Sequence, residues 1–268
     1  MLDNHVDLGD REMSLSFEVR KEKILKALEL KGKVRVQEMA EALQVSSETI
    51  RRDLEKLEKE GALKKVYGGA VKSKLLGELP FEQKVTINQR EKRAICRAAA
   101  SLVEHGDIIM IGHGTTVLEI VHFLGDKQNV TIVTPSIPVL LLAMEVFKGK
   151  IIFIGGELEP QQKLMFGPLS ERMLEQIKVN KAFIAAAGIS FADGITDYDL
   201  HSASISRKMM ERAEEAIVLA DHTRFGKTAF AHICRLTDPS MLITDQGCSE
   251  EWRKVLNDLA VETILAEV

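Results

Sequence analysis

The sequence predicts two unequal parts: a small, mainly helical head and a larger α/β body with a largely parallel sheet. Three observations carry this expectation. The chain has 268 residues, and at about 150 residues per domain that length suits two domains better than one or three. Apolar residues recur at helical spacing through the first quarter, then give way to short apolar runs separated by helical stretches. Charge divides at the same place. Residues 14–75 hold 15 Lys and Arg against 10 Asp and Glu (net +5), residues 76–268 hold 20 against 26 (net -6), and residues 1–13 add -3, giving the total of -4. A basic segment on an acidic body points to nucleic-acid contact at one end, although it also fits an ordinary solvated surface.

Composition excludes several classes. Hydrophobic residues at 45% and charged residues at 28% rule out global disorder. The longest apolar stretch, Ile137 to Phe147, contains Pro138 and Glu145 and falls far short of the ~20 residues a membrane span requires. The opening MLDNHVDLGDRE is acidic and does not read as a secretory signal. Residues 1–15 are expected to form a disordered tail, with Met13 a candidate for the true start. Cys96, Cys234 and Cys248 lie far apart with no CxxC pair, which suits a reducing cytoplasm and predicts no disulfide framework, metal site or cofactor.

The head is expected over residues 16–73. Residues 18–31 place Ile24, Leu25 and Leu28 on one stripe with Phe17 a turn earlier, and Gly32 ends that helix. A second helix in VQEMAEALQ turns Met39, Ala40 and Leu43 inward. Ser46 is a natural N-cap for a third helix, which Gly61 stops. Helix, helix, tight turn, helix is the order of a helix-turn-helix.

At about 100° per residue, Ile50, Leu54 and Leu57 of the third helix fall on one face. The opposite face carries Glu48, Thr49, Arg52, Glu55 and Lys56, with Ser47 and Arg51 on the flanks. Arg52 lies where a helix in the major groove would meet base edges, and its planar fork suits guanine O6 and N7. Ser46, Ser47 and Thr49, near the positive end of the helix dipole, suit phosphate contacts. Beyond the helix, two short extended runs around Gly68-Gly69 read as a β-hairpin, the wing of a winged helix-turn-helix. Lys64, Lys65, Lys72 and Lys74 on it would meet phosphates, and Tyr67 sits at its tip. On periodicity alone a generic three-helix unit fits equally; the turn, the angular split and the basic hairpin, in that order, favour double-stranded DNA as the partner.

The stretch SSETIRRDLEKLEKEGALKKVYGGAV resembles the N-terminal signature of DeoR-type bacterial transcriptional regulators, through Thr49-Ile50-Arg51-Arg52-Asp53-Leu54, Leu57, Gly61 and Gly68-Gly69-Ala70. The resemblance implies a winged helix-turn-helix that binds operator DNA, usually to repress sugar-catabolism genes.

Residues 74–92 are expected to link this head to an α/β domain over 93–268. Candidate strands are 108–111, 130–133, 151–154, 182–186, 217–219, 241–243 and 263–265. Each is nearly all apolar, as expected of strands buried on both faces, and helical segments lie between most of them. Ligands on such sheets usually sit at the carboxyl ends of strands. The first such end, Gly112-His113-Gly114-Thr115-Thr116, runs into a helix and suits a phosphate held by free N–H groups, or is simply a tight strand–helix turn. It is neither a Walker loop nor a full dinucleotide fingerprint. Other ends add Gly155-Gly156, Gly188, and Asp221 to Lys227, where Asp221, Arg224 and Lys227 suit hydroxyls and a phosphate or form a solvated loop with an internal ion pair. No histidine shows metal-ligand spacing or nucleophile pairing, and His113, alone in the glycine loop, is more often incidental than catalytic there.

The resemblance extends from Phe17 to Asp245, through INQREKRAICRAAASLVEHGDIIMIGHGTT, the GG of FIGGEL, the FG of LMFGPLSE, KAFIAAAGIS, LADHTRFGKTAF and LITD. It implies a sensor domain similar in fold to ribose-5-phosphate isomerase that responds to phosphorylated sugars or polyols, with Gly114, Thr115, Thr116, Asp221 and Lys227 as effector residues. The chain departs from that family in three places. Gly112 stands where the family has an aspartate, Ser202, Ser204, Ser206 and Arg207 where it tends to carry glutamate and lysine, and Arg224 where it has a lysine.

The leading expectation is a cytoplasmic, homo-oligomeric DNA-binding repressor, not an enzyme, whose operator affinity changes with a small phosphorylated effector. Two alternatives stand beside it: a sugar-phosphate isomerase with an accessory head, which the missing carboxylate at Gly112 disfavours, and a repressor whose α/β domain only oligomerises.

Overall fold

The computed structural model describes residues 16–59, 63–71 and 78–268. The tail 1–15, Gly61, Lys72, Lys74 and residues 74–77 of the expected linker lie outside the described residues. The chain divides into two compact units between Gly77 and Glu78.

In the first unit α1 (Phe17–Lys31) starts at Ser16, whose hydroxyl accepts the Val19 N–H, and ends at Gly32. Gly32 adopts φ 69° and donates its N–H to Leu28 O, the left-handed stop that glycine accepts without penalty. Then follow β1 (Lys33–Arg35), α2 (Val36–Leu43), α3 (Ser47–Lys59), β2 (Lys64–Val66) and β3 (Gly69–Val71). The Ser46 hydroxyl caps α3 by accepting the Thr49 N–H at 3.1 Å. Ile24, Leu28, Met39, Leu43, Ile50, Leu54 and Leu57 close one buried cluster between the three helices, each contributing about 1.5–3 kcal/mol by leaving water. The wing hairpin forms as expected, and β1 adds a third strand that pairs antiparallel with β3, with Arg35 opposite Gly69.

The second unit opens with α4 (Phe81–Val85) and α5 (Gln89–Ser101), so residues 78–92 of the expected linker fold with the α/β body. The chain continues through β4 (Ile108–Ile111), α6 (Thr115–Leu118), β5 (Thr131–Thr134), α7 (Ile137–Val146), β6 (Lys150–Phe153), β7 (Glu157–Glu159), β8 (Leu164–Phe166) and α8 (Pro168–Glu175). It ends with β9 (Val179–Ala185), β10 (Gly188–Ser190), β11 (Gly194–Asp197), α9 (Leu200–Glu211), β12 (Ala213–Leu219), β13 (Ala231–Cys234), β14 (Met241–Asp245), α10 (Glu250–Asp258) and β15 (Thr263–Ala266).

All seven expected strands join one sheet, ordered β15-β14-β12-β9-β4-β5-β6 and parallel at every pair. Their apolar composition follows from burial on both faces, as at Ile109, Met110 and Ile111, all with no exposed surface. Two smaller sheets sit beside it, β10-β11-β13 and β7-β8. From β4 the chain builds outward through β5 and β6, then returns to place β9 on the other side of β4. The β4–β9 boundary is therefore the switch point of the sheet, where a crevice opens past the strand ends. Among the described residues no helix is long and apolar enough to cross a membrane.

Candidate functional site

The first unit presents α3 with its apolar stripe buried and its polar face open. Glu48, Arg51, Arg52, Glu55 and Lys56 are exposed, while Ser47 and Thr49 are half-buried at the first turn. Arg51 Nη1 lies 3.3 Å and Arg52 Nε 3.6 Å from the Glu48 carboxylate. Pairs this exposed are worth about 0–1 kcal/mol, so both guanidinium groups can exchange Glu48 for a stronger acceptor. The Ser46 hydroxyl, besides capping α3, lies 2.9 Å from that of Thr49. Lys56 Nζ stands 4.6 Å above the Phe17 ring, a contact within α1 and α3.

On the wing, Lys64 and Tyr67 are exposed. Lys65 is half-buried: its Nζ bonds Glu55 Oε1 at 2.9 Å and its backbone N–H donates to Glu58 at 2.7 Å. It therefore braces the wing against α3. Asp53, between the exposed arginines and the core, has a bracing role that the sequence alone does not assign. Its carboxylate accepts from Arg20 Nε at 2.6 Å and Nη2 at 2.9 Å, tying α3 to α1 by a two-pronged bond, and it is almost fully buried. Only the inward position of Asp53 on the helix wheel hints at this, because its partner lies on another helix.

In the second unit a small, half-open cleft lies at the switch point. The turn after β4 lines it with His113, Gly114, Thr115 and Thr116, and the end of β9 with Ala185 to Ala187. Asp197 and Tyr198 reach it from the end of β11, Arg224 from the loop after β12, and Glu78 and Lys84 from the segment around α4. Gly114 takes φ 107° and precedes α6, a conformation that favours glycine. The turn is held from beneath by α5: Lys92 Nζ donates to Thr115 Oγ1 at 2.9 Å and to Lys84 O at 2.6 Å, and one turn later Cys96 Sγ donates to Thr116 O at 2.8 Å. Burial pushes the Lys92 pKa down to about 8, with the Asp221 charge acting against that shift.

Three ion pairs meet this cleft. Lys84 Nζ lies 2.6 Å from Glu78 Oε1, His113 Nε2 lies 3.0 Å from Asp197 Oδ2, and Arg224 Nε lies 3.4 Å from Asp221 Oδ2. Burial opposes a charged His113 ring, but the Asp197 charge and hydrogen bond, with Glu78 behind them, outweigh it and hold the pKa above the usual histidine value. Burial first, then the nearby Asp197 charge, pushes the Glu78 carboxyl up against the lowering pull of Lys84. Asp221 has no exposed surface. Burial works against its charge, yet Arg224 and the bonds from Thr223 and Asn88 hold its pKa below the usual range. It supports Arg224, whose Nη1 donates to Tyr198 Oη at 3.0 Å.

The remaining expected effector positions lie elsewhere. Gly112 adjoins the cleft and donates its N–H to Phe183 O at 2.9 Å. A Cβ there would sit 3.1 Å from that same oxygen, so an aspartate would press on β9. Gly156 and Gly188 are close-approach positions: added Cβ atoms would fall 2.0 Å from Ser170 Oγ and 2.6 Å from Lys227 O. Gly155, whose carbonyl accepts from Ser170 Oγ at 2.6 Å, stands beside the first of these. Arg207 donates to His232 O from α9, and neither it nor Lys227 lines the cleft. The His113 ring meets Asp197, 84 residues on. That separation, like the distance from Glu78 and Lys84 to the other lining residues, leaves no local signal. Among the described residues no cluster suited to a metal ion occurs.

A winged helix-turn-helix with exposed arginines, in a chain that also holds an α/β unit with a polar switch-point cleft, defines a DNA-binding regulator. A model of the DeoR-like helix-turn-helix domain matches residues 20–74, and one of the DeoR C terminal sensor domain matches residues 87–246. The chain is 35% identical over 244 residues to YulB, an HTH-type transcriptional regulator of Bacillus subtilis (strain 168), covering 91% of this chain and 94% of that protein. It is 33% identical over 236 residues to the lactose phosphotransferase system repressor of Staphylococcus aureus (strain N315), covering 87% and 93%. A ribose 5-phosphate isomerase from Methanocaldococcus jannaschii overlays 52% of this chain and 55% of its own at 19% identity, with a TM-score of 0.39. The chain belongs to the DeoR family of transcriptional regulators.

Proposed function

We propose that this protein is a homo-oligomeric repressor of carbohydrate-utilisation genes that α3 docks in the major groove of its operator and that a phosphorylated sugar or polyol releases. The observation that carries the reading is the exposed Arg51–Arg52 face of α3, opposite a fully buried apolar stripe. Arg52 reads base edges, while Ser47, Thr49, Lys64 and Tyr67 position the backbone. The repressor named among the relatives, which serves a lactose phosphotransferase system, supports both the sign of regulation and the class of gene. The phosphate lies against Gly114-Thr115-Thr116 with Arg224 and Lys84 beside it, and the cleft binds without turning its ligand over. Two half-sites on DNA require at least two copies of the head.

Footprinting on the promoter of the protein's own operon, repeated with sugar phosphates, tests this. Protection of an inverted repeat that a sugar phosphate relieves is the expected result. Protection that no phosphorylated ligand alters would leave the α/β unit as an oligomerisation platform. Turnover of a sugar phosphate, lost on substitution of Thr115, would make it an enzyme.

A further inference from the structure

We propose that Glu78, His113 and Asp197 form a hydroxyl-reading wall that limits the effector to a singly phosphorylated sugar or polyol and rejects one carrying a second acid group. This rests on the effector reading above and specifies its ligand. The first support is an open hydrogen-bonding position. Three buried side-chain atoms have no partner among the described residues, and His113 Nδ1 is the one whose residue lines the cleft. Its other ring nitrogen is committed to Asp197 at 3.0 Å, so an oxygen of the occupant is the group left to satisfy it.

The second support is charge. Ion pairing matches Lys84 with Glu78, Arg224 with Asp221 and a protonated His113 with Asp197, leaving Lys92, which among the described residues bonds only Lys84 O and the Thr115 hydroxyl, as the surplus cation beneath the turn. One phosphate at the Gly114 turn uses that surplus together with backbone N–H groups and the Thr115 and Thr116 hydroxyls. A second anionic group would have no unmatched cation and would face two carboxylates within electrostatic range of each other. Carboxylates accept from hydroxyl donors, so a polyol chain satisfies the wall that a carboxylate ligand repels.

Titration calorimetry on the full chain with matched ligands tests the inference. Glucitol and gluconate, each phosphorylated on the terminal carbon, differ only in whether the other end is an alcohol or an acid; ribitol and ribonate phosphates form a second pair. The alcohol is expected to bind about tenfold or more tightly than its acid. Asp197→Asn and Glu78→Gln, both near-isosteric, are expected to narrow that gap. Acids binding as tightly as alcohols, or a gap unchanged in both variants, overturns the inference and leaves the effector reading standing. No binding of any polyol or sugar phosphate in the panel overturns the effector reading itself.

Discussion

Arg51 and Arg52 are adjacent in sequence, equally charged and both drawn toward Glu48, yet the helix wheel turns them about 100° apart. Arg52 points away from the core, so Arg52→Ala should relax base preference by about 1–3 kcal/mol at one operator position. Lys64→Ala should instead weaken binding to all sequences and lower the salt slope by about one. Competition binding with single-base operator variants at several salt concentrations separates the two, and unchanged preference in Arg52→Ala would displace α3 from the groove. In the cleft, the His113–Asp197 pair makes a pH prediction of definite sign. A histidine whose folded pKa is raised above 6.5 contributes stability in full below that value and loses it as pH climbs through the folded pKa. Denaturation of the full chain should therefore show stability falling as pH rises above 6.5. His113→Gln should lack that slope; identical profiles would mean the ring does not titrate in this window.

Among the elements, the wing depends on backbone proximity more than on side chains. Gly68 turns the hairpin with φ 75°. Gly69 has a different reason: a Cβ would lie 2.0 Å from Val34 O on β1. Gly69→Ala must push β1 off β3, at a cost of about 1–3 kcal/mol by analogy with overpacking. Operator affinity should drop while effector binding in the other unit stays constant, an outcome readable by running both titrations on one preparation. Unaltered DNA binding would mean the third strand contributes nothing to the interface. That strand leaves no mark in the sequence, because a three-residue run, Lys33–Arg35, has no period and its partner lies near residue 70. The helices and central strands were legible because their signals are local: caps at Ser46 and Gly32, the stripe of Ile50, Leu54 and Leu57, and apolar runs long enough to require burial on both faces.

For the molecule as a whole, an effector that weakens operator binding must have its own binding weakened by operator DNA in equal measure. Couplings of this kind usually span about 5–150-fold. Titrating a binding sugar phosphate into free and operator-bound protein should give the same ratio as titrating operator into free and effector-bound protein. Effector affinity untouched by DNA would uncouple the two units and reduce the sensor to an assembly module. The sequence by itself determined the order of parts, the seven strands, the exposed polar face of α3 and the glycine turn, since each follows from spacing and residue chemistry within a few residues. The tertiary structure alone decided which strand ends meet. By setting β9 against β4 it made Gly114-Thr115-Thr116 the floor of a cleft and left Gly155, Gly156, Gly188 and Arg207 outside its lining, Gly156 and Gly188 at close backbone approaches. It also brought Glu78, Lys84, Asp197 and Tyr198 to the wall from segments far apart in the chain. Charge pairing across such distances has no period and no local propensity, so it is fixed only when the sheet order is.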